Sequence, residues 1–169
     1  MNASDLERLF DEHAQALYGF LVYRVGDRTV AEDLLGDTFE RVVRSRRRFD
    51  ARKGSEQAWI YTIALNCLRD HLRRAKAERK AHDSTDAVHD EDPFARVHDR
   101  DLVLRGLDRL EAGEREVLAL RYGADLRVQD IARVIDLPVT TVQGRLYGGL
   151  RKLRDLLDDG DERSTGSVS

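Results

Sequence analysis

Leu6, Leu9, Phe10, His13, Leu17, Phe20 and Leu21 recur three and four residues apart, the spacing that stacks side chains on one face of an α-helix. The pattern predicts a helix from Ser4 to Val25, opened by a capping box of Ser4 with Glu7 and broken at Gly26-Asp27. Thr29 with Glu32 makes a second capping-box signature. The helix it opens carries Leu34, Leu35, Thr38, Phe39 and Val42 on one face and Glu32, Asp33, Asp37 and Glu40 on others. After the polar stretch Phe49-Asp50-Ala51-Arg52-Lys53-Gly54, Ser55 is an N-cap candidate, and Glu56 suits the positive end of the helix dipole. Trp59, Ile60, Ile63, Ala64, Cys67, Leu68 and Leu72 form the apolar face of that third helix. Three helices with facing apolar stripes predict one compact bundle.

From Ala81 to Asp92 the periodicity stops and acidic residues take over, which marks a linker. Asp92-Pro93 then reads as an N-cap followed by proline in the first helical turn, with Val97, Leu102, Val103, Leu107 and Leu110 continuing the helix. Another helix is expected near Glu114 with Val117, Leu118 and Leu120, stopped by Gly123. Two further helical patterns, 128–135 and 140–157, are separated by Asp136-Leu137-Pro138-Val139. Their apolar faces, Ile131, Ala132 and Ile135 against Val142, Leu146, Leu150 and Leu153, make a helix-turn-helix pattern. The expected fold is all-α, with two small helical domains, 1–80 and 93–159, joined by a flexible acidic linker, 81–92. The small polar residues 160–169 are expected to form a disordered tail.

Charge changes the picture through its distribution. The 29 basic and 32 acidic residues leave a net charge of −3, which by itself argues against a nucleic-acid binder. Basic residues cluster, however, at Arg44-Ser45-Arg46-Arg47-Arg48 and again from Arg69 to Lys80, where Arg73, Arg74, Lys76, Arg79 and Lys80 gather near a helix end. Cations there are favoured by the dipole and can neutralise phosphates. Trp59 falls at helical spacing with Ile63, which favours core packing over base stacking. No apolar run reaches the roughly 20 residues needed to span a bilayer, and the N-terminus lacks a secretory pattern, so a cytoplasmic protein without membrane insertion is expected. Cys67 is the one cysteine and lies on an apolar face, which predicts a core thiol.

Enzymatic readings find little support. His82, His89 and His98 lack metal-ligand spacing, no paired carboxylates share an evident apolar pocket, and neither a glycine-rich phosphate loop nor a nucleophile motif occurs. No enzyme activity, cofactor or metal is therefore expected. The helix-turn-helix points instead to DNA. Pro138 fixes the chain ahead of the second helix, Thr140 or Thr141 can cap it, and its first turns would present Thr140, Thr141, Gln143, Gly144 and Arg145 to the major groove. Gln143 suits adenine, and Arg145 suits guanine or a phosphate. The competing reading is an ordinary helical hairpin with a solvated face.

Three strings, "LYGFLVYRVGDRTVAEDLLGDTFERVVR", "FDARKGSEQAWIYTIALNCLRDHLRR" and "LRVQDIARVIDLPVTTVQGRLYGGLRKL", resemble in order the characteristic segments of extracytoplasmic-function sigma factors of bacterial RNA polymerase. The resemblance covers Leu6 to Leu157 except the linker. It implies a subunit that binds core RNA polymerase and promoter DNA, and a further partner in an anti-sigma factor. It implies polymerase docking through Glu32, Asp33 and Asp37, with Phe39 as packing support. It implies capture of an extruded minus-ten base by the loop 49–55, through Phe49, Asp50, Arg52, Lys53 and Ser55. Asn66, Asp70, Arg73 and Arg74 would line the opened strand. The minus-thirty-five element would be read by Thr140, Thr141, Gln143, Gly144, Arg145 and Arg151. A helix-turn-helix regulator acting on duplex DNA is the alternative function, and a protein-only helical adaptor a third.

The second half departs from the family pattern. Gln143-Gly144 stands where a basic residue and serine are common, and Tyr147-Gly148-Gly149 where His-Arg-Ala is common. Glycine inside a helix costs roughly 0.5–1 kcal/mol relative to alanine. Weak upstream-element binding is therefore expected, and alanine at both 148 and 149 is expected to raise the melting temperature of a straight recognition helix.

Overall fold

A computed structural model describes residues 3–81, 106, 107 and 109–165. Helix α1 spans Ala3–Val25 and α2 spans Arg28–Ser45. Between them Gly26 takes φ 70° while its N–H bonds Val22 O at 2.8 Å, a left-handed stop that glycine adopts without a Cβ penalty. Asp27 caps α2, its Oδ1 accepting from Val30 N at 3.0 Å. Thr29, the expected cap, already lies inside the first turn. Asp27 follows the glycine directly, in extended conformation, and so reaches the free N–H first.

A single 3-10 turn, Arg46–Arg48, leads to the loop before α3, which spans Glu56–Ala81. Ser55 caps α3 as expected, with Oγ accepting from Ala58 N at 3.1 Å. The buried stripe of α3 is Ala58, Ile60, Tyr61, Ala64, Leu65, Cys67 and Leu68, packed with Leu9, Leu17, Leu21 and Val42. Leu72 was expected to join it and is instead 48% exposed. A stride of four residues overshoots one helical turn by roughly 40°, so three strides from Ile60 carry Leu72 off the buried face. Tyr61 is fully buried against Phe20, ring centroids 5.4 Å apart, and burial pushes its phenol up to about 12.

Ala81, expected to open the linker, instead ends α3, and the rest of the expected linker, to 92, and most of the helix from Asp92 fall outside the described residues. Gly106 and Leu107 are helical. Helix α4, Ala112–Leu118, runs into a π-helical turn, Ala119–Gly123. Asp125, at φ 50°, redirects the chain towards α5, Val128–Val134. Asp136, at φ 54°, then makes the turn into α6, Val139–Thr165, while Leu137 N bonds Ala132 O at 2.9 Å. Aspartate tolerates this conformation better than most residues that carry a Cβ. Val142 and Thr141 donate to Pro138 O, so Thr140 and Thr141 sit within the helix rather than capping it.

Helix α6 also continues through residues 160–165, where a disordered tail was expected. Its neighbours there are aspartate, glutamate and arginine, and one glycine costs too little to end a helix that is already running.

The two halves pack together, a contact that no periodic pattern announces. Helix α3 lies against α5, and α1 touches the π-helical turn. Gln57 Nε2 donates to Ala124 O at 2.6 Å, Arg24 Nη1 pairs with Glu116 Oε1 at 3.2 Å, and the Arg133 guanidinium lies over Gly54.

The α6 glycines are not equivalent. A Cβ at Gly149 would stand 2.9 Å from Leu118 Cδ1, and one at Gly148 3.0 Å from Glu114 Oε1, whereas one at Gly144 meets nothing within 4 Å. These contacts oppose the expectation for alanine at 148 and 149: the two glycines let α4 approach α6. Gly144→Ala should stabilise the protein by about 0.5–1 kcal/mol, and Gly149→Ala should destabilise it by about 1 kcal/mol because the buried Leu118 must shift. Urea denaturation of the two variants measures this; an equal gain from both would mean that close packing does not limit position 149.

Candidate docking and nucleic-acid surfaces

Helix α2 presents Glu32, Asp33 and Asp37 to solvent on the side away from its buried stripe. Phe39 is buried, its ring edge-on to Phe10 with centroids 4.8 Å apart, so it supports the helix and does not itself offer a contact. Asp33 and Asp37 line a groove of about 260 Å³ with His71, Arg74 and Glu78 of α3. Arg74, expected beside Asn66 on the opened strand, thus neighbours the acidic face of α2 instead.

The other side of α3 meets the end of α2. Asn66 and Ile63 line a groove of about 360 Å³ with Arg41, Arg44 and Arg48. Asp70 accepts from both Arg41, at 3.3 Å, and Arg73, at 2.7 Å. The carboxylate is therefore occupied as a tie between α2 and α3, and the net sign of this face stays positive. Arg41, Arg44 and Arg48 were not among the expected site residues. The basic run beginning at Arg44 was the signal, but nothing in the sequence showed that the end of α2 would return beside Asn66.

In the loop, Phe49 packs on Trp59 at 5.2 Å between centroids. Asp50 folds the turn on itself, accepting from Arg52 N and Nε, both at 3.0 Å, and this hydrogen bonding holds its carboxyl below the usual range. Arg52 and Lys53 are exposed, while Ser55 serves as the cap of α3. Phe49, Asp50 and Ser55 thus shape the loop, while the exposed Arg52 is paired with Asp50 and Lys53 is exposed beside it. Cys67 is buried, and burial pushes its thiol up, as a core position requires.

On α6, Thr140, Gln143, Gly144, Tyr147, Arg151 and Arg154 fall on one solvent-facing stripe, with Thr141 at its edge. Arg145 does not join it. Its guanidinium lies across Gly113, 2.8 Å from where a Cβ would stand, on the first turn of α4. Position 145 sits one residue round from the stripe, and the bare glycine backbone leaves a seat for the long side chain. Tyr147, 69% exposed, occupies the stripe and was missed because it was read only as a departure from the family pattern.

Behind the stripe, Glu114 is buried and takes two bonds from Lys152 Nζ, at 2.9 and 2.8 Å, and one from Glu111 N at 3.1 Å. Hydrogen bonding to Lys152, foremost, holds its carboxyl below the usual range.

Among the described residues no group of histidine, cysteine and carboxylate side chains is placed to hold a metal ion, and no helix is long and apolar enough to cross a membrane. Fold and surfaces together define a two-domain helical protein whose second half carries a helix-turn-helix. Residues 9–78 match the Sigma-70 region 2 family and residues 100–153 the Sigma-70 region 4 family. The chain is 34% identical over 161 residues to the RNA polymerase sigma factor CarQ of Myxococcus xanthus, covering 90% of this chain and 89% of CarQ. It is 30% identical over 158 residues to the ECF RNA polymerase sigma factor BldN of Streptomyces coelicolor, with 90% of this chain covered but only 60% of BldN. Among solved structures, CnrH in complex with the cytosolic domain of CnrY superposes with a TM-score of 0.62 at 27% identity, over 94% of this chain and 90% of CnrH. The chain belongs to the extracytoplasmic-function sigma factors of the sigma-70 family.

A carboxyl held below its ordinary value stabilises the fold above that value and loses the contribution as pH falls. Below the ordinary glutamate value of 4.5, the parent protein should therefore lose melting temperature more steeply than Glu114→Gln. Thermal melts between pH 3 and 7 check this; parallel curves would mean that the Lys152 pair contributes nothing to stability.

Proposed function

We propose that the chain binds core RNA polymerase and directs it to promoters, opening the DNA as it does so. The observation that carries the reading is the coexistence, on one small chain, of an acidic docking face, a basic groove beside Asn66 and a helix-turn-helix stripe. Residues 1–80 form the polymerase-docking and minus-ten domain, 81–92 the linker, and 93–159 the minus-thirty-five domain.

Core polymerase docks on Glu32, Asp33 and Asp37. The loop 49–55 receives the extruded base, with Arg52 and Lys53 as its charged contacts. Extrusion costs a few kcal/mol, which pocket contacts must offset. Asn66 and Arg73 line the unpaired strand, joined by Arg44 and Arg48, whose guanidinium groups neutralise phosphates. Thr140, Gln143, Tyr147 and Arg151 read the upstream element, with Arg145 steadying α6 against α4. The sparse positive charge of that stripe makes upstream binding weak by itself, so tethering through polymerase supplies the missing affinity. The protein acts in the cytoplasm as a transcription factor and not as an enzyme, and needs no cofactor. The likeness to CnrH, whose structure holds the cytosolic domain of CnrY, supports an anti-sigma factor as a further partner.

Two variants test the assignment. Asp33→Lys reverses one exposed charge, so it should leave folding intact and weaken core binding by roughly tenfold. Core binding as tight as the parent's would remove the docking face from α2. Asn66→Ala should lower open-complex formation, read by permanganate footprinting, more than it lowers closed-complex binding. Equal losses in both steps would assign Asn66 to general phosphate binding or to folding instead.

A further inference from the structure

We infer that the groove between α1 and the second half is a binding site for an amphipathic carboxylate, a small molecule with an apolar body and one anionic end. The buried apolar residues of the two halves form one continuous cluster, which includes Phe20 of α1 and Leu118 of α4. Beside these two residues the packing leaves a groove of about 530 Å³. Phe20 and Tyr23 wall it from α1, Leu118 from α4, Tyr122 from the π-helical turn, and Leu150 and Leu153 from α6. Small-molecule sites occupy roughly 300–1,000 Å³ and combine mostly apolar walls with a few polar groups, and this groove has both properties.

The space is not forced by close packing. Gly19 lines it from the interior of the 23-residue helix α1, where glycine costs stability relative to alanine. A Cβ at Gly19 would meet nothing within 4 Å, and the same holds at Gly123, which lines the groove from the π-helical turn. These positions therefore differ from Gly149, where a neighbouring helix leaves no room. Two bare positions leave apolar surface uncovered that ordinary side chains would fill. Gly19 is also exposed, so the groove is reachable from solvent.

Arg115 sets the chemistry of the occupant. It is the one charged residue among the described residues that line the groove. Its Nη2 donates to Leu110 O at 3.2 Å, but its Nε is buried without a hydrogen-bond partner. The adjacent carboxylate, Glu116, is engaged by Arg24 at 3.2 Å, and no ion pair joins Arg115 to a carboxylate among the described residues. A buried donor on a charged group is costly to leave unpaired, and the guanidinium fork matches a carboxylate. An ammonium headgroup would be repelled there, and a wholly apolar molecule would leave Nε unpaired. One arginine balances one negative charge, which favours a carboxylate over a doubly charged phosphate. No lining residue belongs to the acidic face of α2, the basic groove beside Asn66 or the outward stripe of α6. Binding there is thus independent of the promoter-reading function proposed above.

Decanoate, titrated below its micelle concentration into the full chain and followed by calorimetry, tests the site. It should bind saturably at one molecule per chain and raise the melting temperature. Decyltrimethylammonium, with the same tail and the opposite charge, should do neither. Arg115→Gln should weaken decanoate binding on the order of tenfold. Gly19→Leu, which fills the groove from α1, should abolish binding at parental circular dichroism, whereas Gly19→Ala, which adds only a Cβ, should bind like the parent. Arg115→Gln carries the test by itself should Gly19→Leu fail to fold. Absence of saturable binding by the parent would overturn the assignment. Equal binding of the two decyl compounds, or undiminished decanoate binding in Arg115→Gln or in folded Gly19→Leu, would do the same by reducing the uptake to a general detergent effect. A parent that sediments as a dimer while Gly19→Leu sediments as a monomer would give the groove to a second copy of the chain and also overturn it.

Discussion

The burial of one stripe of α3 is the constraint on which the other features depend. Tyr61, Leu65 and Leu68 are fully buried among α1 and α2, which fixes the rotation of a 26-residue helix about its own axis. With that rotation set, Asn66 faces the basic end of α2, Arg74 faces the acidic one, and Gln57 faces the second half. One helix thus serves three surfaces because its apolar residues leave no freedom in where its polar ones point. A substitution that turned α3 by half a residue would displace the acidic groove, the basic groove and the seam together.

The second half is organised around close approach rather than large side chains. Gly148 and Gly149 let α4 settle on α6, and the space a larger residue would fill is taken by Glu114 and Leu118. Glu114 is buried with Lys152 as its partner, an arrangement in which removing Lys152 leaves the buried carboxylate stranded. The same crowding decides which α6 side chains are free. Arg145 is drawn onto Gly113, so the outward stripe passes to Gln143, Tyr147 and Arg151. The second helix of the helix-turn-helix therefore gives one arginine of its first turns to packing against α4.

Much of this was legible in the sequence because it rests on local signals. The three-and-four spacing gave α1, α2 and the outline of α3, Ser55 announced its helix, and the helix-turn-helix stood out from its turn and its apolar faces. The misses share a physical cause. Thr29 lost the cap to Asp27 because a residue right after a left-handed glycine is already extended. Leu72 followed the repeat but drifted off the stripe. Arg145 and the two glycines were misjudged because their partners, Gly113, Glu114 and Leu118, lie a helix away. The seam was the least legible feature: Gln57 meets Ala124 across 67 residues and Arg24 meets Glu116 across 92, through single polar contacts that leave no periodic trace.

A sigma factor makes polymerase specific for promoters and does not act on duplex DNA by itself. In vitro transcription with purified core RNA polymerase on a genomic library, with start sites mapped, distinguishes the two activities. Start sites should appear only when both the chain and core are present, and should share one downstream and one upstream motif about two and a half helical turns apart. Tight, sequence-specific binding of the chain alone to duplex DNA, with no new start sites in the presence of core, would contradict it.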